Sequence, residues 1–159
     1  AWVGAEVQRR WGGDPARLYV GGHSSGAMLA LTSGCRAQSP VAGIVPIGGR
    51  YGMHQGSAIL GGVDPVIPAS EWHLPRVPAQ AVIAFSEQEA DGDEEPDDPR
   101  RLGDCARIGR SLARAMAERA CEVTVAALAP MGHWQTVSTL GDAGSETGRA
   151  TLRMIGSEG

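Results

Sequence analysis

The residues most able to do chemistry lie in the stretch Gly22-His23-Ser24-Ser25-Gly26. A short apolar run precedes it and small apolar residues at helical spacing follow it, so the sequence predicts a strand, a sharp turn and a helix. Such a turn presents the Ser24 hydroxyl above the end of the strand, and the Ser25 N–H points towards the same space from the helix N-terminus. The stretch therefore predicts a nucleophilic Ser24, with Ser25 supplying one donor of an oxyanion hole.

The two glycines of this stretch have a steric role in the predicted turn. The turn is so tight that we expect a Cβ at either Gly22 or Gly26 to collide with the strand or the helix. Glycine makes up 23 of the 159 residues, so the pattern by itself arises readily by chance. Its position between a strand and a helix favours a nucleophile over an ordinary glycine- and serine-containing loop.

A histidine is the side chain best matched to take the serine proton near neutral pH. His133 is predicted to lie in a loop just past the last predicted strand, at the edge where ligands bind in open α/β sheets. Of the other histidines, His23 lies inside the turn, where side chains normally point away from substrate, and His54 and His73 lie in an irregular region. The sequence therefore predicts His133 as the general base.

A carboxylate is expected to orient that histidine from the loop after the third predicted strand. This loop begins Ser86-Glu87-Gln88-Glu89-Ala90-Asp91, and residues 87–98 hold eight of the 18 acidic residues of the chain. Glu87, Glu89 and Asp91 are close enough to the strand end to qualify, and the residues alone leave all three open. The later acidic residues are expected to face solvent.

The predicted elements alternate along the chain. Strands are predicted over 17–21, 41–47, 81–85 and 122–128, and helices over 1–11, 26–32, 104–119 and 145–155. This alternation predicts a parallel sheet with right-handed crossovers. Residues 50–78, rich in glycine and proline, are predicted to form an irregular loop or cap segment.

Composition excludes several classes of protein. No apolar run reaches the ~20 residues of a membrane span, so no membrane partner is expected. The sequence has no basic stripe interleaved with aromatic residues, so no nucleic-acid partner is expected. The cysteines, Cys35, Cys105 and Cys121, are odd in number and not closely spaced, which argues against a disulfide framework or a zinc site. We expect a cytoplasmic protein that needs no metal and no cofactor.

The turn Trp11-Gly12-Gly13-Asp14-Pro15, the strand after it and Gly22-His23-Ser24-Ser25-Gly26-Ala27 closely resemble α/β-hydrolase-fold esterases. The most similar group contains kynurenine formamidase (arylformamidase) and small carboxylesterases, and Gly132-His133-Trp134 is similar to its Gly-His-aromatic segment. The resemblance implies an α/β-hydrolase fold over residues 1–159, as a single catalytic domain with a mostly parallel sheet and helices on both faces. It places the acid on Glu89, three residues past Ser86, and leaves Asp91 as the alternative.

The resemblance also implies that residues 1–159 are the C-terminal portion of a larger hydrolase. In that family the serine follows the fifth strand, and the first four strands and a His-Gly-Gly oxyanion segment have no counterpart here. We expect the open side of the serine strand to pair with that missing part of the fold or with another chain.

The sequence thus predicts a serine hydrolase acting on a small-molecule ester or amide. Ser24 attacks, His133 transfers the proton, Glu89 orients His133, and Tyr51 and Trp134 are expected to bind substrate. Two alternatives stay open: an arylformamidase proper, and a non-catalytic α/β-hydrolase-fold binding protein that uses the site as a pocket. The set of serine, acid and histidine favours the enzyme, and the absent oxyanion segment favours the binding protein.

Overall fold

The computed structural model describes residues 2–49, 72–87 and 104–156. The helices are α1 (Trp2–Trp11), α2 (Ser25–Gly34), α3 (Asp104–Ala117), α4 (His133–Ser138) and α5 (Glu146–Ile155). The strands are β1 (Tyr19–His23), β2 (Gly43–Ile47), β3 (Gln80–Ser86) and β4 (Glu122–Leu128), and 3₁₀ turns lie at Pro15–Arg17 and Thr139–Gly141.

The four strands form one parallel sheet in the order β1-β2-β3-β4. In register, Ala81 of β3 lies between Ile44 of β2 and Val123 of β4. Because the strands are parallel, their carboxyl ends lie at one edge of the sheet. That edge brings together Ser24 after β1, Ser86 at the end of β3 and the segment that follows β4.

Helices cover both faces of this sheet, as the sequence predicted. On β2, the buried Ile44 belongs to the core that α2 and α3 form on one face, and the next residue, Val45, belongs to the core that α5 forms on the other. This alternation follows from the two-residue period of a strand. A sheet covered on both faces also explains why 81–85 reads as a continuous apolar run.

Strand β1 begins at Tyr19, two residues later than the sequence pattern predicts. Asp14 Oδ1 accepts a hydrogen bond from Ala16 N at 2.8 Å, and Pro15 has a fixed backbone angle, so the chain first makes a 3₁₀ turn. Strand β4 has the predicted bounds, β3 is one residue longer at each end, and β2 begins at Gly43 rather than at residue 41.

The predicted irregular segment over 50–78 lies mostly outside the described residues. Its described part, residues 72–78, forms neither helix nor strand. Trp72 is nevertheless 2% exposed, and its Nε1 donates to Ser111 Oγ of α3 at 2.9 Å. The indole therefore anchors this part of the segment to the α2 and α3 core.

Helix α1 forms as predicted, but its apolar stripe is not buried against the described residues. Val3, Val7 and Trp11 are 52%, 37% and 73% exposed. The sequence pattern identifies the helix but does not say what covers its apolar side.

The three cysteines are free thiols buried in the α2 and α3 core. Burial is the main cause that raises the pKa of Cys35 to about 12, and the nearby Cys121 adds to it. Burial, with a contribution from Glu122, raises the pKa of Cys121 to about 11. Both thiols therefore stay neutral in the folded protein at a pH that ionises an exposed cysteine.

We expect the free energy of unfolding to fall as the pH rises from about 9 towards 11. Unfolded thiols lose their protons from about pH 8.5 while the buried ones keep theirs, so the native state binds more protons and each thiol removes about 1.4 kcal/mol per pH unit. Urea unfolding at about pH 8 and pH 10 measures this loss. The double variant Cys35→Ala, Cys121→Ala should flatten the pH dependence, and an unchanged slope would contradict the assignment.

Candidate active site

Ser24 lies between the last residue of β1 and the first residue of α2. Its φ of 56° and ψ of −118° are values that residues other than glycine rarely adopt. Ser24 N donates to Ile47 O of β2 at 3.0 Å, and Ser24 O accepts from Ala27 N at 3.0 Å. Backbone strain of this kind persists only where the surroundings enforce it, and it is typical of the strand-to-helix turn that presents a nucleophile.

The Ser24 hydroxyl does not stabilise the helix that follows it. A serine at this position usually accepts a hydrogen bond from the first helical turn, but the Ser24 side chain makes no capping hydrogen bond. Ser25 is the first residue of α2, where backbone N–H groups lack partners within the helix. The Ser24 hydroxyl is therefore not used for capping and lies beside the backbone N–H groups of the first turn of α2. The oxyanion role of Ser25 stays a prediction.

The close approach of α2 to β1 makes Gly22 necessary. A Cβ at Gly22 would lie 2.1 Å from Gly26 O, far inside contact distance. Apart from its chain neighbours and the nearby backbone of α2, a Cβ at Gly26 would meet no atom of the described residues within 4 Å. The expectation that both glycines are sterically required is therefore confirmed for Gly22. It is wrong for Gly26, because a side chain there would point into space that neither the strand nor the helix occupies.

His133 is the first residue of α4 and not, as predicted, a loop residue. The Gln135 side chain reaches back, and its Oε1 accepts from Gly132 N at 2.9 Å, which starts a helical turn directly after Gly132. Helix α4 follows β4 at the carboxyl edge of the sheet, so the placement of His133 after the last strand is as the sequence indicated.

The rings of His23 and His133 lie against each other. Their centroids are 4.4 Å apart, and the Trp134 ring is 5.6 Å from each of them. His23 Nε2 lies 2.8 Å from His133 O. A carbonyl oxygen only accepts hydrogen bonds, so Nε2 of His23 carries the proton. The structure thus brings the segment of Ser24 to the segment of His133 through His23, a contact that the sequence analysis missed.

Ser86 makes a second set of hydrogen bonds to the segment that leads to His133. This last residue of β3 is fully buried, and its Oγ accepts from Met131 N at 3.1 Å and donates to Ala129 O at 3.4 Å. The hydroxyl links the start of the loop after β3 to the loop before α4. This role was not predicted, because in the sequence Ser86 only marks the position three residues before Glu89.

Of the three candidate acids, Glu87 lies within the described residues. Its carboxylate forms an ion pair with Arg110 of α3, whose guanidinium lies over the Phe85 ring at 5.0 Å from the centroid. Because Glu87 is engaged on the α3 face, it is a poor candidate to orient His133. Glu89 and Asp91 lie outside the described residues, so the assignment of the acid to Glu89 stays a prediction.

Trp134 is 66% exposed beside the two imidazoles, and Tyr51, the other predicted substrate-binding residue, lies outside the described residues. Within the described ranges, histidine, cysteine and acidic side chains form no group of three or more that could hold a metal. None of the helices described above combines the length and apolar character needed to cross a membrane.

No protein-family model and no curated protein matches this sequence. Among solved structures, esterase PE8 is similar, with a TM-score of 0.51 and 22% sequence identity. The match covers 95% of this chain and 56% of that esterase, so the chain spans just over half of its length. Together with the parallel sheet and its two layers of helices, the likeness shows a partial α/β-hydrolase fold. It does not extend to the arylformamidase group.

The glycine pair of the turn gives a matched test of this geometry. Gly22→Ala places a methyl group against backbone that cannot move aside, so we expect the free energy of unfolding to fall by about 3 kcal/mol or more. Gly26→Ala should change it by less than about 1 kcal/mol, because the space is open and alanine favours a helix. Chemical denaturation of both variants measures the difference, and equal losses would contradict the geometry.

Proposed function

We propose that this protein is a serine hydrolase that cleaves carboxylic esters or small amides through an acyl-enzyme on Ser24. The observation that carries the proposal is the strained backbone of Ser24, which has a φ of 56° and lies between β1 and α2. The Ser24 hydroxyl makes no capping hydrogen bond to α2. His133 lies against the neighbouring His23, which supports its role as the base. The fold shared with an esterase is in keeping with this chemistry.

In the proposed reaction, Ser24 Oγ attacks the substrate carbonyl carbon while His133 takes the hydroxyl proton. The oxyanion forms at the N-terminus of α2, where the Ser25 N–H donates to it. The bond to the leaving group then breaks as His133 returns the proton to that group, which leaves an acyl ester on Ser24. Water, deprotonated by His133, then attacks the carbonyl carbon of this ester. The bond to Ser24 Oγ breaks as His133 returns the proton to Ser24, which releases the carboxylic acid and restores the free serine.

We assign the orienting acid to Glu89, with Asp91 as the alternative, and the engagement of Glu87 with Arg110 supports a position further along the loop. We also assign Tyr51 and Trp134 to substrate binding. The exposed Trp134 ring, 5.6 Å from that of His133, offers a flat apolar surface to an aromatic substrate. That observation favours an arylformamidase as the second candidate function.

We further propose that the open side of β1 is covered by polypeptide from outside residues 1–159. Among the described residues, β1 pairs with β2 alone. The backbone groups on the other side of such a strand need partners. A cavity of about 370 Å³ lies beside β1, with Val7, Leu18, Tyr19 and Ile155 among its lining residues. Its lining is mostly apolar, with Asp14 and Arg17 as the charged members, and is suited to pack against such a segment.

In the assembled protein, with the partner of β1 in place, we expect a fluorophosphonate probe to label Ser24. Ser24→Ala should abolish labelling and ester turnover, because only an activated serine reacts with the probe. Ser33→Ala, at an exposed serine of the same helix, is the matched control and should label normally. Labelling of Ser24→Ala would place the chemistry elsewhere, and an unreactive assembled protein would favour the non-catalytic binding protein.

The same assay assigns the acid. Glu89→Gln should lower kcat by about 10²–10⁴, because the imidazolium loses its charged partner. Asp91→Asn should have a much smaller effect, and the reverse order would move the role to Asp91.

Residues 1–159 expressed alone should be poorly folded or nearly inactive. A missing second oxyanion donor lowers kcat by about 10²–10³ from the ~10 s⁻¹ that is ordinary for enzymes. Hydrogen exchange should be fast at the β1 amides that do not bond to β2. A folded monomer with an ordinary rate of ester hydrolysis would overturn the proposed partner.

A further inference from the structure

We infer that His23, the histidine inside the sharp turn, is a positioning residue that holds His133 in place for proton transfer. The inference rests on the proposed function, because it concerns the residue that supports the proposed general base. The imidazoles of His23 and His133 lie side by side. His133 is the proposed base, and His23 positions it.

The main contact is the hydrogen bond from His23 Nε2 to His133 O, at 2.8 Å. The same carbonyl accepts from Thr136 Oγ1 at 2.6 Å, and Thr136 is fully buried. The backbone of His133 is therefore held by one donor from its own helix and by one from the end of β1. The ring contact between His23 and His133, with centroids 4.4 Å apart, adds a third restraint on the imidazole itself.

This hydrogen bond joins the nucleophile and the base through very few atoms. His23 precedes Ser24 directly, and its side chain binds the backbone of His133 across 110 residues of sequence. The distance between the serine and the imidazole therefore depends on the His23 side chain. Small errors in such a distance are costly, since a displacement of about 1 Å lowers a rate by about 10².

The tautomer separates the two histidines chemically. His23 Nε2 carries a proton and donates it to a carbonyl oxygen, so that atom cannot accept the Ser24 proton, while the other ring nitrogen keeps its lone pair. With His133 as the proposed general base, the role that this hydrogen bond gives to His23 is to fix where that base stands.

Substitutions of His23 can either keep or remove the hydrogen bond to His133 O. The glutamine amide nitrogen is separated from Cα by the same number of bonds as imidazole Nε2, and the asparagine nitrogen by one bond fewer. His23→Gln should therefore keep the donor, while His23→Asn and His23→Leu should lose it. We expect kcat for a p-nitrophenyl ester, and the rate of fluorophosphonate labelling, to stay within about threefold of wild type for His23→Gln. Both should fall by about 10–100-fold for the other two variants, with KM little changed.

The comparison with His133→Gln and with Tm decides between the possible outcomes. If His23→Gln is as inactive as His133→Gln, His23 acts chemically and the inference is wrong. If all three His23 variants lose activity in proportion to their loss of Tm, the residue is merely structural and the inference is also wrong. The inference is supported if His23→Gln keeps its activity while His23→Asn and His23→Leu lose it.

Hydrogen exchange of the α4 amides gives a readout that needs no activity. Exchange should be faster in His23→Asn and His23→Leu than in wild type, and unchanged in His23→Gln. If the assembled wild-type protein never reacts with the probe, the proposed hydrolase function fails. The difference in hydrogen exchange between the variants still tests whether His23 positions His133. Equal exchange in all variants would overturn the positioning role.

Discussion

The site depends on how closely the first turn of α2 approaches the end of β1. No side chain fits at Gly22, where a Cβ would lie 2.1 Å from Gly26 O. The chain must then reverse within one residue, which gives Ser24 its positive φ at a cost of about 1–3 kcal/mol. The hydrogen bonds from Ser24 N to Ile47 O and from Ala27 N to Ser24 O hold this turn. The strain that exposes the hydroxyl is thus maintained by the second strand and by the helix.

The segment that carries His133, the proposed base, is too short to position itself. Helix α4 has six residues, fewer than an isolated helix needs for stability. It is held instead by strands to which it does not belong, through His23 at the end of β1 and through the buried Ser86 at the end of β3. Because both strands end at the same edge of the sheet, these hydrogen bonds tie the position of His133 to the edge that also carries Ser24.

Local patterns account for what the sequence predicts correctly. The apolar run over 81–85 follows from burial on a covered sheet, and the sharp turn follows from Gly22, where no side chain fits. The contacts of His23 and Ser86 were missed because they span 110 and 45 residues and depend on how strand ends are arranged in space. The late start of β1 was missed for a local reason. The Asp14 side chain binds Ala16 N, and Arg17 N donates to Asp14 O at 3.0 Å, so the first residue of the predicted strand belongs to a 3₁₀ turn instead.

The alternation of side chains along β3 limits where the orienting acid can lie. Successive residues of a strand face opposite sides of the sheet. The geometry that turns Ser86 towards Met131 therefore turns Phe85 and Glu87 to the other face, where Arg110 contacts both. Glu87 N still donates to Leu128 O at 3.3 Å, so the chain keeps its strand-like course at that residue. We therefore expect the carboxylate proposed to orient His133 to come from residues beyond Glu87, an interval that contains both Glu89 and Asp91.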